Sequence, residues 1–197
     1  MNNHYIIVKR ILDLLAAIIL MIILSPIYLF LGLIIKLDSK GPILFKQKRI
    51  GISQSYFVIY KFRTMRIQAP KDAPTHLLDD PVRWVTRIGK ILRKTSLDEI
   101  PQLINIIRGE MSFVGPRPAL WNQYDLIEAR EKLGVHEVLP GITGLAQISG
   151  RDLLSIEQKA LLDGEYVKTI SFIKDIKIIL KTIVKILKRD GVKEGKS

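Results

Sequence analysis

Asp98 and Glu99 are the residues of this chain best suited to chemistry, two adjacent carboxylates in Thr95-Ser96-Leu97-Asp98-Glu99-Ile100-Pro101-Gln102-Leu103. Proline is favoured in the first turn of a helix and glycine just past its end, so Pro101 to Arg108 is expected to be a helix stopped by Gly109. The residue before a proline avoids the helical region, which makes Ile100 the boundary. Asp98 and Glu99 then lie just upstream of a helix N-terminus, where partial positive charge and free amides favour anions such as phosphate. A carboxylate held there stays ionised and suits either of two roles, nucleophile or metal ligand. Aspartate is a known type of nucleophile toward phosphoryl groups. The bland alternative is a capping box, Ser96-x-x-Glu99, whose register Pro101 fits poorly.

Two further segments suit phosphate. In Ser112-Phe113-Val114-Gly115-Pro116-Arg117-Pro118 the flanking prolines stiffen the backbone around Arg117. A guanidinium held in this way can bind phosphate in bidentate fashion; otherwise the segment is a rigid turn with an exposed arginine. In Pro140-Gly141-Ile142-Thr143-Gly144-Leu145-Ala146-Gln147, followed by Gly150-Arg151, glycines let backbone amides approach a phosphate or ribose closely. By itself that signal is weak, and the stretch reads as loop. Arg63, Arg87, Arg93 and Lys94 add positive charge near these segments, for which a solvated face is the ordinary explanation.

Composition narrows the chemistry. The 197 residues are enough for one domain beyond a membrane segment, and 31 Lys and Arg against 19 Asp and Glu give a net charge of +12. That balance suits nucleic acid, an anionic membrane surface or phosphorylated substrates. The basic residues are not interleaved with aromatics as a single-strand binder requires, so no nucleic acid is expected. There is no cysteine, hence no disulfide, thiolate zinc site or cysteine nucleophile, which fits a cytoplasm-facing protein. His4, His76 and His136 show no metal-ligand spacing and are expected at the surface. Neither a P-loop nor a dinucleotide fingerprint is present.

The element that must position these residues is an uncharged run from Leu14 to Ile35, broken by Ser25-Pro26. Roughly 20 apolar residues span a bilayer core as a helix. Pro26 should kink the helix and free the carbonyl near Ile22, and the Ser25 hydroxyl is close enough to help satisfy it. Lys9 and Arg10 precede the run, while Lys36, Lys40, Lys46, Lys48 and Arg49 follow it. Cationic flanks prefer the cytoplasmic side, and a helix that enters, bends and returns keeps both inside. The expectation is therefore a re-entrant helix kinked at Ser25 and Pro26. The alternatives are a kinked span and a soluble core helix. The run exceeds the roughly 7–15 residues of a signal-peptide core and no small-residue cleavage site follows, so it reads as retained.

Beyond a turn at Asp38-Ser39-Lys40-Gly41-Pro42, Ile43 to Arg49 and Tyr56 to Phe62 alternate as a β-hairpin. Gln68 to Pro81 reads as loop, and Trp84 to Arg93, Leu120 to Leu133 and Ser155 to Lys168 as helices. In Phe172 to Lys188 the lysines Lys174, Lys177, Lys181, Lys185 and Lys188 recur at helical steps opposite Ile176, Ile179, Ile183 and Leu187. Such a helix suits a membrane interface, or else packs on the domain with a solvated lysine face. The expected fold is α+β, a mostly helical small domain with a short β-hairpin, the Ser-Pro-kinked re-entrant membrane helix and interfacial amphipathic helices. Residues 1–37 form the lead-in and membrane helix, and 38–197 the membrane-associated catalytic domain.

Taken together, Lys9-Arg10, Ser25-Pro26, Tyr60-Lys61-Phe62-Arg63-Thr64-Met65, the Asp98-Glu99 segment, Gly115-Pro116-Arg117-Pro118 and Pro140 to Gln147 resemble the bacterial sugar transferases, in particular the small monotopic phosphoglycosyl transferases. Several long motifs in the right order cover nearly the whole chain. The resemblance implies transfer of a phosphosugar from a UDP-sugar to polyprenyl phosphate with release of UMP, dependent on Mg²⁺, at the cytoplasmic face of the bacterial inner membrane and among its lipids. It implies Asp98 as nucleophile, forming a covalent phosphosugar intermediate, and Glu99 in acid/base or metal-assisting work, with both as metal ligands. Arg117 and Arg93 become phosphate binders, with Lys61, Arg63, Gly141, Thr143, Gly144, Gln147 and Arg151 as further substrate contacts. A homo-oligomer is left open. The departures, Ile100 where leucine is usual and Glu110 where aspartate is common, do not touch this chemistry. Two other readings remain: a single-displacement transferase with Asp98 only a metal ligand, and a non-catalytic membrane-surface module.

Overall fold

The computed structural model describes residues 3–70, 81–150 and 153–188. It is α+β: helices α1 (Asn3–Ile23) and α2 (Ser25–Asp38) lead into an antiparallel hairpin, β1 (Leu44–Ile50) and β2 (Tyr56–Phe62). Helices α3 (Pro81–Trp84) and α4 (Arg87–Thr95), a 3-10 segment Leu97–Gln102 and α5 (Leu103–Ile107) follow. Then come β3 (Ser112–Val114), α6 (Tyr124–Glu131), β4 (Gly141–Thr143), α7 (Leu145–Ser149), α8 (Ile156–Lys168) and α9 (Phe172–Lys188). A second sheet pairs β3 with β4 in parallel.

The lead-in is continuous with α1, and α1 meets α2 at Leu24 with a bend of 62°. Ser25 Oγ donates to Ile22 O at 2.8 Å, the carbonyl that Pro26 leaves without its amide partner. No single helix among the described residues is long and apolar enough to cross a membrane; α1 and α2 pass only as a bent pair. The face of α1 turned toward the domain is polar in its first half and apolar from Ala17 onward. Lys9, Asp13 and Ala17, four residues apart, are buried, while Ile11, Leu15 and Ile22 are exposed.

Strand β2 is the centre of the packing. Phe57 and Ile59 meet Ala17 of α1 and Leu103 and Ile106 of α5, and Phe62 meets Leu31 and Ile35 of α2 and Leu92 of α4. Each fully buried side chain of this size contributes about 1.5–3 kcal/mol. Asn105, fully buried, completes the joint: Tyr60 N donates to its Oδ1, and its Nδ2 donates to Val58 O at 2.7 Å. A side-chain amide thus takes the place of a third strand against β2.

Several elements differ from the sequence expectation. The helix expected over 84–93 is interrupted: Val85 bridges to Met65, and Thr86 restarts the chain as the α4 cap by accepting from Gly89 N. The helix expected from 120 begins at Tyr124, because Gln123 Oε1 accepts from Leu120 N and holds a turn. Pro140 to Gly150 is not loop but β4 followed by α7. His136 is half-buried, with Nε2 3.3 Å from Ile127 O, rather than at the surface. His76 and most of the Gln68–Pro81 loop lie outside the described residues.

Candidate active site

Asp98 and Glu99 do not precede a helix; they form the first turn of the 3-10 segment Leu97–Gln102, which runs through Pro101. The fixed φ of proline is compatible with helix, so Pro101 costs only an amide donor there. The turn is entered through Ser96, at φ 57 and ψ 15, in the left-handed region that a residue with a Cβ seldom adopts. Ser96 makes no side-chain capping bond, so the capping box is not formed. Tyr28 of α2 donates to Ile100 O at 2.7 Å and ties the turn to the elbow of the apolar helix pair.

Two cations converge on Glu99. Lys61 Nζ lies 2.7 Å and Arg117 Nη2 2.8 Å from the same oxygen, Oε1. Burial alone would raise the Glu99 carboxyl; Arg117 and Lys61 overcome this by charge and hydrogen bonding and hold it well below the usual carboxylate range. Asp98 goes the other way. Burial pushes its carboxyl up and the Glu99 charge adds to this, against the opposing cations Lys61, Arg93 and Arg117. Burial also lowers Lys61, with Glu99 opposing. One carboxylate of the dyad is therefore locked in ion pairs, while its neighbour stays poorly solvated and basic.

The arginine loop is held from both sides. Arg49 Nη1 donates to Pro118 O at 2.9 Å, and Arg130 Nη1 donates to Arg117 O at 2.8 Å. Arg130 also donates to the fully buried Asp163 through Nε at 3.0 Å and Nη2 at 2.6 Å. At the loop entrance, Ser112 Oγ and Tyr166 OH both lie against Val114 O, at 3.0 and 3.1 Å. Ser112 Oγ is also 2.6 Å from Asp13 of α1, and Tyr166 OH is 2.8 Å from Asp175 of α9, which pairs with Lys9 at 2.7 Å. None of these partners was legible as a site residue. The available signal was a charge in an otherwise apolar helical phase: Arg130 one turn after Leu126, Asp163 between Ala160 and Val167, and Asp175 before Ile178.

Parallel pairing of β3 with β4 brings the second and third sequence motifs together. Gly115 N donates to Thr143 O and Gly141 N to Pro116 O, both at 2.9 Å. A Cβ on Gly141 would lie 2.1 Å from Gly115 N, so the approach requires glycine. Gly141 and Gly144 thus serve backbone packing, whereas Thr143 and Gln147 line a cavity. The cavity, of about 520 Å³, is reached by Glu99, Arg117 and Ser96 but not by Asp98. Arg63 is not brought to the site. It is buried, and its guanidinium donates to Ile35 O, Ser39 O and Lys40 O, closing the C-terminal end of α2. Arg93 acts on Asp98 through its charge, and Arg151 lies outside the described residues.

A family model described as bacterial sugar transferase matches residues 4–189. The chain belongs to the bacterial sugar transferase family. This family member is 44% identical over 188 residues to the uncharacterized sugar transferase EpsL of Bacillus subtilis, covering 95% of this chain and 91% of that protein. It is 41% identical over 192 residues to the UDP-glucose:undecaprenyl-phosphate glucose-1-phosphate transferase of Caulobacter vibrioides, covering 93% and 71% of the two chains. With the Escherichia coli protein of the same name it shares 39% over 186 residues, 90% of this chain and 39% of that one.

Proposed function

We propose that this chain transfers a sugar 1-phosphate from a UDP-sugar to polyprenyl phosphate, undecaprenyl phosphate in the relatives' names, and releases UMP through a covalent aspartyl-phosphosugar intermediate. The observation that carries this reading is the division of labour in the dyad. Glu99 is neutralised by Lys61 and Arg117, which leaves Asp98 as the desolvated carboxylate able to attack. In the first step an Asp98 oxygen bonds to the β-phosphorus and the bond to the bridging oxygen breaks, so UMP departs with the electron pair. In the second step an oxygen of polyprenyl phosphate attacks the same phosphorus. The aspartyl O–P bond breaks, and Asp98 is restored as a carboxylate. Arg117, fixed by its ion pair and by its clamped backbone, holds positive charge where phosphoryl charge spreads.

Among the described residues no group of three or more His, Asp or Glu side chains could hold a metal ion. The two carboxylates of the dyad nevertheless fit Mg²⁺, which is commonly held by one or two carboxylates together with substrate phosphates. Bound there, Mg²⁺ would offset the charge of the diphosphate and its leaving group. Since Glu99 Oε1 already accepts from two cations, Asp98 is the less committed ligand.

The exposed face of α1 supports a membrane setting. Ile7, Ile11, Leu15, Ile22, Leu29 and Leu33 of α1 and α2, and Ile173, Ile183 and Leu187 of α9, are large apolar side chains left exposed, as on a surface that meets a membrane. In our reading α1–α2 is re-entrant and α9 lies in the interface. Residues 38–197 then face the cytoplasm on the bacterial inner membrane, initiating glycoconjugate synthesis. The test is to incubate the detergent-solubilised protein with Mg²⁺ and a panel of UDP-sugars without lipid, followed by intact mass spectrometry. A phosphosugar adduct that is absent in Asp98→Asn is expected. UMP release on adding polyprenyl phosphate, with no adduct detectable even at quenched millisecond times, would overturn the covalent step. Turnover by Asp98→Asn would overturn the nucleophile.

A further inference from the structure

The 520 Å³ cavity is lined by residues of two kinds. Leu20 and Leu24 from the α1–α2 elbow, Phe113, Ile142 and Ile186 are apolar. Lys90 and Lys94 of α4, Lys185 of α9 and Arg117 bring cations to the same lining. Glu99 is the single carboxylate in the lining, and it is already paired with Lys61 and Arg117. The lining therefore combines an excess of positive charge with apolar side chains. A nucleoside diphosphate matches the cationic residues alone, whereas a monophosphate on a hydrocarbon chain matches the cationic and the apolar residues together.

The lysines of α9 are not equivalent. Lys177, Lys181 and Lys188 are exposed, whereas Lys185 is half-buried at the cavity. One turn earlier Thr182 is held by Thr143 at 2.7 Å and donates to Ile178 O at 2.8 Å, which turns this face of α9 inward. Glu99 lines the cavity and Asp98 does not, so the cavity opens onto the Glu99 side of the dyad.

We propose that this cavity seats the lipid acceptor: Lys185, Lys90 and Lys94 take its phosphate, and Leu20, Leu24 and Ile186 flank the first isoprenyl units. The assignment rests on the transferase function proposed above. The lipid enters from the apolar elbow, and its phosphate attacks in line with the aspartyl O–P bond, from the side that the departing UMP has vacated.

The test uses the full chain in detergent and farnesyl phosphate as probe, with affinity measured by calorimetry. Lys185→Ala should weaken binding roughly tenfold or more, as loss of a charge-assisted contact does. Lys185→Arg should restore it, and Lys177→Ala, on the exposed side of the same helix, should not change it. Farnesol and inorganic phosphate should each bind at least about tenfold more weakly than farnesyl phosphate. Inorganic phosphate binding as tightly as farnesyl phosphate, or Lys185→Ala behaving like Lys177→Ala, overturns the proposal. A protein that releases UMP from a UDP-sugar and polyprenyl phosphate while Lys185→Ala binds farnesyl phosphate unchanged loses this site alone. A protein that binds farnesyl phosphate in the expected pattern yet releases no UMP from any UDP-sugar loses the transferase function, not the site.

Discussion

Arg117 Nη2 lies 2.8 Å from Glu99 Oε1, across 18 positions of sequence, and this contact separates the roles of two neighbouring carboxylates. Glu99 is satisfied as an anion. Asp98, one residue away, sits in the same desolvated turn facing the charge of Glu99. Adjacent groups driven in opposite directions are the usual mark of divided acid, base or nucleophile roles.

The first prediction concerns pH. Attack needs ionised Asp98, whose carboxyl is raised by burial and by Glu99, so activity should fall on the acid side at a pH above the ordinary aspartate value of about 3.9. Glu99→Gln removes the neighbouring negative charge and frees Lys61 and Arg117 to act on Asp98. The acid limb of residual adduct formation should therefore move to lower pH. A limb that stays in place or rises would contradict the electrostatic account. For stability the signs oppose. Glu99, lowered in the fold, stabilises above the ordinary carboxylate range and loses this as pH falls through its folded value. Asp98, raised in the fold, contributes stability that is lost as pH rises through its folded value.

The Arg130–Asp163 pair should matter to both stability and turnover. Asp163→Asn leaves the Arg130 charge buried without its partner, and breaking such a pair costs about 3–5 kcal/mol. In a chain of this size that lowers the melting temperature by roughly 10 °C. Because Arg130 also donates to Arg117 O, kcat should fall further than KM for the UDP-sugar changes when assayed well below the melting point. A purely structural pair would lower the melting temperature and leave kcat per folded molecule intact.

Gly141→Ala should not be tolerated. Its Cβ would meet Gly115 N at 2.1 Å and Thr143 O at 2.5 Å, all backbone, so the β3–β4 ladder must separate. Overpacking of this kind costs about 1–3 kcal/mol or more. The expected outcome is a lower circular-dichroism melting temperature together with loss of adduct formation, because Arg117 lies two residues after Gly115. Gly150→Ala meets only the flexible Leu154 side chain and serves as the milder comparison.

The bend between α1 and α2 makes a topological prediction. The chain has no cysteine, so single cysteines placed at Asn2 and Lys168 report their own sides of a bacterial inner membrane. Both should be shielded from an impermeant maleimide added outside. Pro26→Ala restores an amide donor for Ile22 O and favours a straighter helix, which should expose Asn2→Cys to the reagent. Labelling of Asn2→Cys alone in the parent chain would establish a span instead of a re-entrant helix.

Local pattern was enough for a good part of this protein. The alternation of Tyr56 to Phe62, the lysine and isoleucine steps of Phe172 to Lys188, and the need of Ile22 O for a partner beside Ser25 are all relations between near neighbours. They appear in the structure where the sequence placed them. The dyad was legible as a pair of carboxylates because residue type and adjacency are written in the chain. Their different roles were not, since these depend on Lys61 from β2 and Arg117 from beyond β3 closing on one oxygen. Arg63 shows the converse: a motif residue that reads as a phosphate ligand, yet folding turns it onto the carbonyls ending α2. Pro140 to Gly150 looked like loop because its strand exists only by pairing with β3, and its glycines are set by that contact rather than by flexibility. Periodicity records which residues share a face of one element. Which charges share a desolvated space, and which of them are thereby neutralised, is decided only when separate elements close around it.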